Sequence, residues 1–181
     1  MTEAYIYDAI RTPRGKGKST GSLHQITPIK LASKTLKKLK ERNNLDTKLI
    51  DDVVLGCVHP VNEQGSDIAR VAVLDADYDQ SVPGTQIDRF CASGLEAISM
   101  AVSKVRAGFG DIFIAGGIES MSLIPMTGYK LAPSYKANLE NMNYHIGMGH
   151  TAEAVAEKYK ITRDASDKFS CESHIKAANA I

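Results

Sequence analysis

Between residues 51 and 117 short apolar runs alternate with stretches of helical period, and this alternation most limits what the chain can become. "DDVVLGCV" (51–58), "VPGTQIDRF" (82–90) and "DIFIAGG" (111–117) have strand length and β-branched content. Between them, "GSDIARVAVLDAD" (65–77) reads as a helix with Asp67 near its start. "CASGLEAISMAVSKVRAG" (91–108) reads as a second, with Leu95, Ile98, Val102 and Val105 on one face, Lys104 and Arg106 in the last turn and Gly108 as its stop. Strands separated by helices pair in parallel, because the crossover helix returns the chain to the same edge. The valine-rich run 51–58 suits a strand covered on both faces, and Cys57 within it reads as a small core residue. Upstream, "AYIYDAI" (4–10) reads as a first strand. Thr27-Pro28 opens a surface helix whose apolar positions are Ile29, Ala32, Leu36 and Leu39 and which ends at Asn43-Asn44. Its lysines keep the outer face soluble.

The pattern changes after residue 120. Residues 121–150 are rich in Met, Pro, Gly, Asn and Tyr without a period, and irregular segments of that length are often functional. Two helices follow. "TAEAVAEKYK" is expected to carry Glu153 in its first turn, and the next is expected to be capped by Thr162 and to run to Ile181 without a stop signal, as if the chain continued. The predicted division is 1–120 and 121–181.

At 43% hydrophobic and 24% charged the chain has a globular composition, which excludes disorder. The 22 basic and 21 acidic residues nearly cancel, which argues against nucleic acid or an anionic membrane as partner. No apolar run approaches a membrane span, and no basic-then-apolar leader opens the sequence. The basic loop Arg11, Arg14, Lys16 and Lys18 is most simply solvated. Cys57, Cys91 and Cys171 are too few and too widely spaced for a disulfide framework or a zinc site. A reducing compartment, cytoplasm or organelle matrix, fits best.

Cys91 sits where the third strand meets a helix. Free backbone N–H groups and the positive end of the helix dipole converge there, and both favour a thiolate. Ala92, Ser93 and Gly94 leave room beside the sulfur. The alternative is a buried, inert thiol. Position alone leaves both open, because no histidine is tied to Cys91 by spacing and a thiol nucleophile needs a base.

"DRFCASGLEA" resembles the nucleophile motif of the thiolases. "RTPRGKGKSTGSLH", "VVLGCVHPVNEQGSDIAR", "AGGIESMS" and "MGHTAEAVAEKYKITRDASDKFSCESHIKAANAI" resemble further family segments, in family order from end to end. The resemblance implies an α/β fold, the N-terminal half of the thiolase fold: layered α-β-α, with a mixed, mostly parallel sheet and part of an inserted loop domain. It implies an acyl-CoA C-acyltransferase that cleaves 3-ketoacyl-CoA or condenses two acetyl-CoA through an acyl thioester on Cys91. The backbone N–H of Cys91 would help bind the thioester oxygen. Met148 matches a methionine lining the pantetheine and substrate tunnel; Gly147 stands where several bacterial members have histidine. His145 and His150 are read as surface or packing residues, and Glu119 and Ser120 as structural. Coenzyme A and acyl-CoA would be substrates, with no other cofactor and no metal, and the assembly would be a homodimer or homotetramer with "TQIDRF" near its axis. The family's G-H-P, N-E-A-F and C-G-G-G motifs, which carry the activating histidine and the second cysteine, do not occur here. The chain by itself is therefore expected to be inactive, and a non-catalytic acyl-CoA-binding or subunit-interaction module is the alternative. A ketoacyl synthase also places a cysteine at a helix start, but "GGIESMS" and "MGHTAE" speak against it.

Overall fold

Strand β1 (Asp52–Gly56) is buried along its whole length, because it is the middle of a three-stranded sheet. In this computed structural model, which describes residues 3–126 and 148–180, the order is β2 (Gly84–Ile87), β1, β3 (Phe113–Gly117). All pairings are parallel, with Gly56 opposite Ile87 on one side and Gly117 on the other. The period-2 alternation of β1 then sorts its side chains. Val53 and Leu55 join Ala32 and Leu36 of helix α1 (Pro28–Asn43) and Ala69, Ala72 and Val73 of helix α2 (Ile68–Asp75) in the core. Asp52 and Gly56 face helix α3 (Ser93–Ala107): Lys104 pairs with Asp52 at 2.6 Å, and Gly56 lies under the start of the helix. The result is a layered α-β-α unit.

The local signals that delimit these elements act as the sequence predicts. Thr27 Oγ1 accepts from Lys30 N at the start of α1, Pro28 is its first residue, and Asn44 ends it in the left-handed region. Asp67 caps α2, and Gly108 stops α3 at φ 75°. The lysine face of α1 does more than solubilise it. Lys30 bonds Asp75 at 2.5 Å and Lys37 bonds Asp77 at 2.9 Å, joining α1 to the end of α2.

Three expectations are corrected. Residues 4–10 are not a strand: Tyr5, Ile6 and Tyr7 are exposed, and the segment is held only through Asp8, which accepts from Asn43 at 2.7 Å and pairs with Arg42. An apolar extended run becomes a strand only by pairing, and among the described residues no neighbour takes it. The buried face of α3 is Ser93, Ala97 and Ala101, while Leu95 and Ile98 are exposed. Helix and sheet approach so closely over Gly56 that only small side chains fit between them. Glu153 lies in the second turn of its helix, which begins at Met148.

Residues 1–129 and 130–181 form two compact units. The described part of the second consists of helices α4 (Met148–Tyr159) and α5 (Arg163–Asn179), neither with a buried residue. Thr162 caps α5 by accepting from Ala165 N at 3.2 Å. Most of the irregular 121–150 segment, with His145 and Gly147, lies outside the described residues. No helix among the described residues is long and apolar enough to cross a membrane, and none of their His, Cys, Asp and Glu side chains form a metal-binding group.

Candidate active site

Cys91 lies beyond the C-terminal end of β2, the end of an open parallel sheet at which ligands bind. After β2 the chain makes a five-residue turn, Asp88 to Ala92, and enters α3. Each polar backbone group of Arg89 and Phe90 has a hydrogen-bond partner in this turn or in Ser93 just after it. Asp88 Oδ1 accepts from Phe90 N at 2.8 Å. Ser93 Oγ accepts from Arg89 N at 2.8 Å and donates to Phe90 O at 2.6 Å. The Ala92 and Ser93 amides donate to Arg89 O and Phe90 O, each at 3.0 Å. The Arg89 guanidinium is in turn held by Glu96 of the first helical turn, at 3.0 and 3.2 Å.

Phe90, held in this way, has φ 48°. For a bulky side chain that conformation is an outlier costing on the order of 1–3 kcal/mol, and such residues concentrate at functional turns. Next to it Cys91 is exposed and unpaired with another cysteine. The Ala92 position cannot cap α3, and no side chain does so. Amides of the first turn are thus left to meet an oxygen or a thiolate beside Cys91. A Cβ built on Gly94 would meet nothing within 4 Å, so one side of the turn is open. Beneath it, a Cβ on Gly56 would lie 2.5 Å from the Ser93 carbonyl carbon. Gly56 is therefore what lets the helix start sit on the strand end.

A second cluster braces the neighbouring loops. Glu119, just after β3, accepts from Val58 N at 2.7 Å and from Gln64 Nε2 at 2.7 Å, and contacts His59 Nδ1 at 3.3 Å. Gln64, fully buried, also donates to His59 O at 2.9 Å and accepts from Ser120 N at 2.6 Å. Glu119 and Ser120 thus tie the turn after β3 to the loop after β1, which is a structural task. Cys57 lies in this dry region, where burial, with the Glu119 charge adding to it, pushes its thiol up to about 11. It is neutral and inert at physiological pH, the opposite of what a nucleophile requires.

The two site residues expected from sequence fall in different units. Cys91 stands in the first, and Met148 is exposed at the start of α4 in the second. Sequence reasoning missed the brace of Gln64 and the double role of Ser93. Gln64 carries no local signal, while Ser93 is the only hydroxyl in the "CASG" turn.

An exposed cysteine on a strained strand-to-helix turn defines a class: parallel α/β proteins with a cysteine presented at the carboxyl end of the sheet. The comparisons make the class specific. The family description "Thiolase, N-terminal domain" matches residues 4–181, and the chain belongs to the thiolase family. It is 40% identical to a 3-ketoacyl-CoA thiolase of Bacillus subtilis over 100% of this chain and 46% of that protein. It is also 40% identical to a 3-oxoadipyl-CoA/3-oxo-5,6-dehydrosuberyl-CoA thiolase of Escherichia coli, over 99% of this chain and 49% of that one. The crystal structure of the Bacillus anthracis acetyl-CoA acetyltransferase superposes with a TM-score of 0.71 at 31% identity, over 88% of this chain and 43% of that one. The chain thus spans about half the length of the relatives it matches.

Proposed function

We propose that the chain supplies the nucleophile half of an acyl-CoA C-acyltransferase of the thiolase type, with Cys91 as the residue acylated. The observation that carries this is the exposed thiol beside an uncapped helix start, on a turn in which the backbone groups of Arg89 and Phe90 are hydrogen-bonded. In the thiolytic direction the Cys91 thiolate attacks the 3-keto carbon of a 3-ketoacyl-CoA. The bond between C2 and C3 breaks, its electrons pass to C2, and protonation there releases acetyl-CoA. Coenzyme A, deprotonated at sulfur, then attacks the thioester carbonyl, the bond from that carbon to the Cys91 sulfur breaks, and the shortened acyl-CoA leaves with the Cys91 thiolate restored. Amides at the start of α3 oppose the charge that develops on the attacked oxygen. The Bacillus subtilis and Escherichia coli relatives, both thiolases by name, favour 3-ketoacyl-CoA thiolysis over acetyl-CoA condensation as the main direction. Met148 is proposed to line the substrate path. A homodimer or homotetramer is proposed, with the β2 edge near its axis.

The test is thiolysis of acetoacetyl-CoA by residues 1–181 mixed with the C-terminal half of the Bacillus subtilis relative. Turnover that disappears with Cys91→Ala supports the proposal. The G-H-P motif, which by the resemblance would carry the activating histidine, does not occur in the sequence, and this motivates a second reading, a non-catalytic acyl-CoA-binding or subunit-interaction module. Coenzyme A binding without turnover in the same mixture would select it.

A further inference from the structure

We infer that Ser93 is the positioning residue of the nucleophile turn: its buried hydroxyl holds the residue before Cys91 in the left-handed conformation that presents the thiol at the start of α3. The inference rests on the reading of Cys91 as nucleophile. A hydroxyl has one donor and two acceptor sites. Ser93 uses its donor on Phe90 O and an acceptor site on Arg89 N, so one side chain spans the dihedrals of residues 89 and 90. The N-cap position of α3 is Ala92, which has no side-chain oxygen, so α3 has no side-chain cap. The Ser93 oxygen, one residue inside the helix, reaches back to the preceding turn and fixes it.

Ser93 is itself immobilised. It is 4% exposed, and its Cβ lies 2.7 Å from where a Cβ on Gly56 would stand, so it rests directly on the end of β1. Asp88 is its partner in the clamp, taking the remaining polar group of Phe90, the N–H. Removal of the Ser93 hydroxyl takes away the acceptor of Arg89 N and one of the donors to Phe90 O, and so loosens the hold that keeps Phe90 at φ 48°. Relaxation of Phe90 to negative φ swings the thiol away from the helix start.

The experiment is competitive alkylation of the full 181-residue chain by iodoacetamide, read peptide by peptide by mass spectrometry. Cys171, exposed on α5 in the other unit, is the internal reference thiol. Ser93→Ala is expected to lower the Cys91-to-Cys171 rate ratio at least fivefold while the far-ultraviolet circular dichroism is retained. Ser93→Thr, which keeps the hydroxyl, should restore the ratio to within twofold of wild type. A lowered melting temperature with an unchanged ratio would overturn the inference, since a merely structural serine gives that result. If Ser93→Ala does not fold, Asp88→Ala at an exposed position replaces it, and an unchanged ratio there overturns the clamp. Failure of the nucleophile reading shows separately, as absence of acyl transfer to Cys91 in wild type whatever the alkylation ratios do.

Discussion

At the scale of single residues, two cysteines at the carboxyl ends of neighbouring strands have different surroundings. Cys57 ends a buried strand, and burial keeps it a neutral thiol; Cys91, one strand over, is exposed at a helix start. The difference yields a pH prediction. In the unfolded chain Cys57 ionises near the ordinary thiol value of 9.0, but in the folded chain only at about 11. Between those values the unfolded state loses its proton first, so folding stability falls as pH rises through that window. Tyr78, whose buried hydroxyl donates to Leu36 O, is pushed up to about 12 and acts in the same direction. Urea midpoints should be level from pH 7 to about 9 and then decline. Cys57→Ala should remove part of the decline; a slope unchanged by Cys57→Ala would refute the role given to Cys57. Glu119 gives a second prediction at this scale. Glu119→Ala leaves the Val58 amide and the Gln64 carboxamide without their acceptor, at a cost of about 1–3 kcal/mol by denaturant unfolding, whereas Glu119→Gln keeps one acceptor and should lose about half as much.

At the scale of elements, most of the first unit was legible because its signals are local. Thr27-Pro28, Asn44, Asp67 and Gly108 act through hydrogen bonds spanning a few residues, so they read the same in sequence and in structure. What failed was whatever depended on a distant neighbour. The run 4–10 has strand composition, but a strand is a pairing, and sequence does not say who pairs. The apolar stripe of α3 misled for a related reason: the distance between helix and sheet is set by Gly56, and it selects Ala97 and Ala101 over the larger Leu95 and Ile98 for the buried face. Cys91 was legible as a candidate because a helix start is a local feature; the Ser93 clamp was not, because its meaning lies in which way a hydroxyl turns. Gly56→Ala should therefore destabilise the unit by about 1–3 kcal/mol, a steric cost with nowhere to relax but backbone. It should also perturb Cys91 alkylation; a neutral effect on both would contradict the packing described. Hydrogen exchange should find amides of 3–10 unprotected and those of β1 among the slowest, since only the latter are paired on both sides.

At the scale of the whole molecule, the chain matches the N-terminal domain of its family and about half the length of its relatives. Among the described strands β2 is an edge strand, and the exposed Phe90 belongs to the turn that carries Cys91. If that edge is the subunit contact, charged substitution at Ile87 or Phe90 should shift the light-scattering mass from a dimer or larger to a monomer. A wild-type chain that is already monomeric would remove that assignment. The central claim is that Cys91 is the residue that takes the acyl group, and one measurement addresses it directly. The chain, completed by the C-terminal half of its Bacillus subtilis relative, is incubated with acetyl-CoA, quenched in acid and mapped by peptide mass spectrometry. One acetyl group on the peptide containing Cys91, unaffected by Cys57→Ala or Cys171→Ala and lost in Cys91→Ala, is the predicted result. Acetylation that persists in Cys91→Ala, or that falls on another residue, would contradict it.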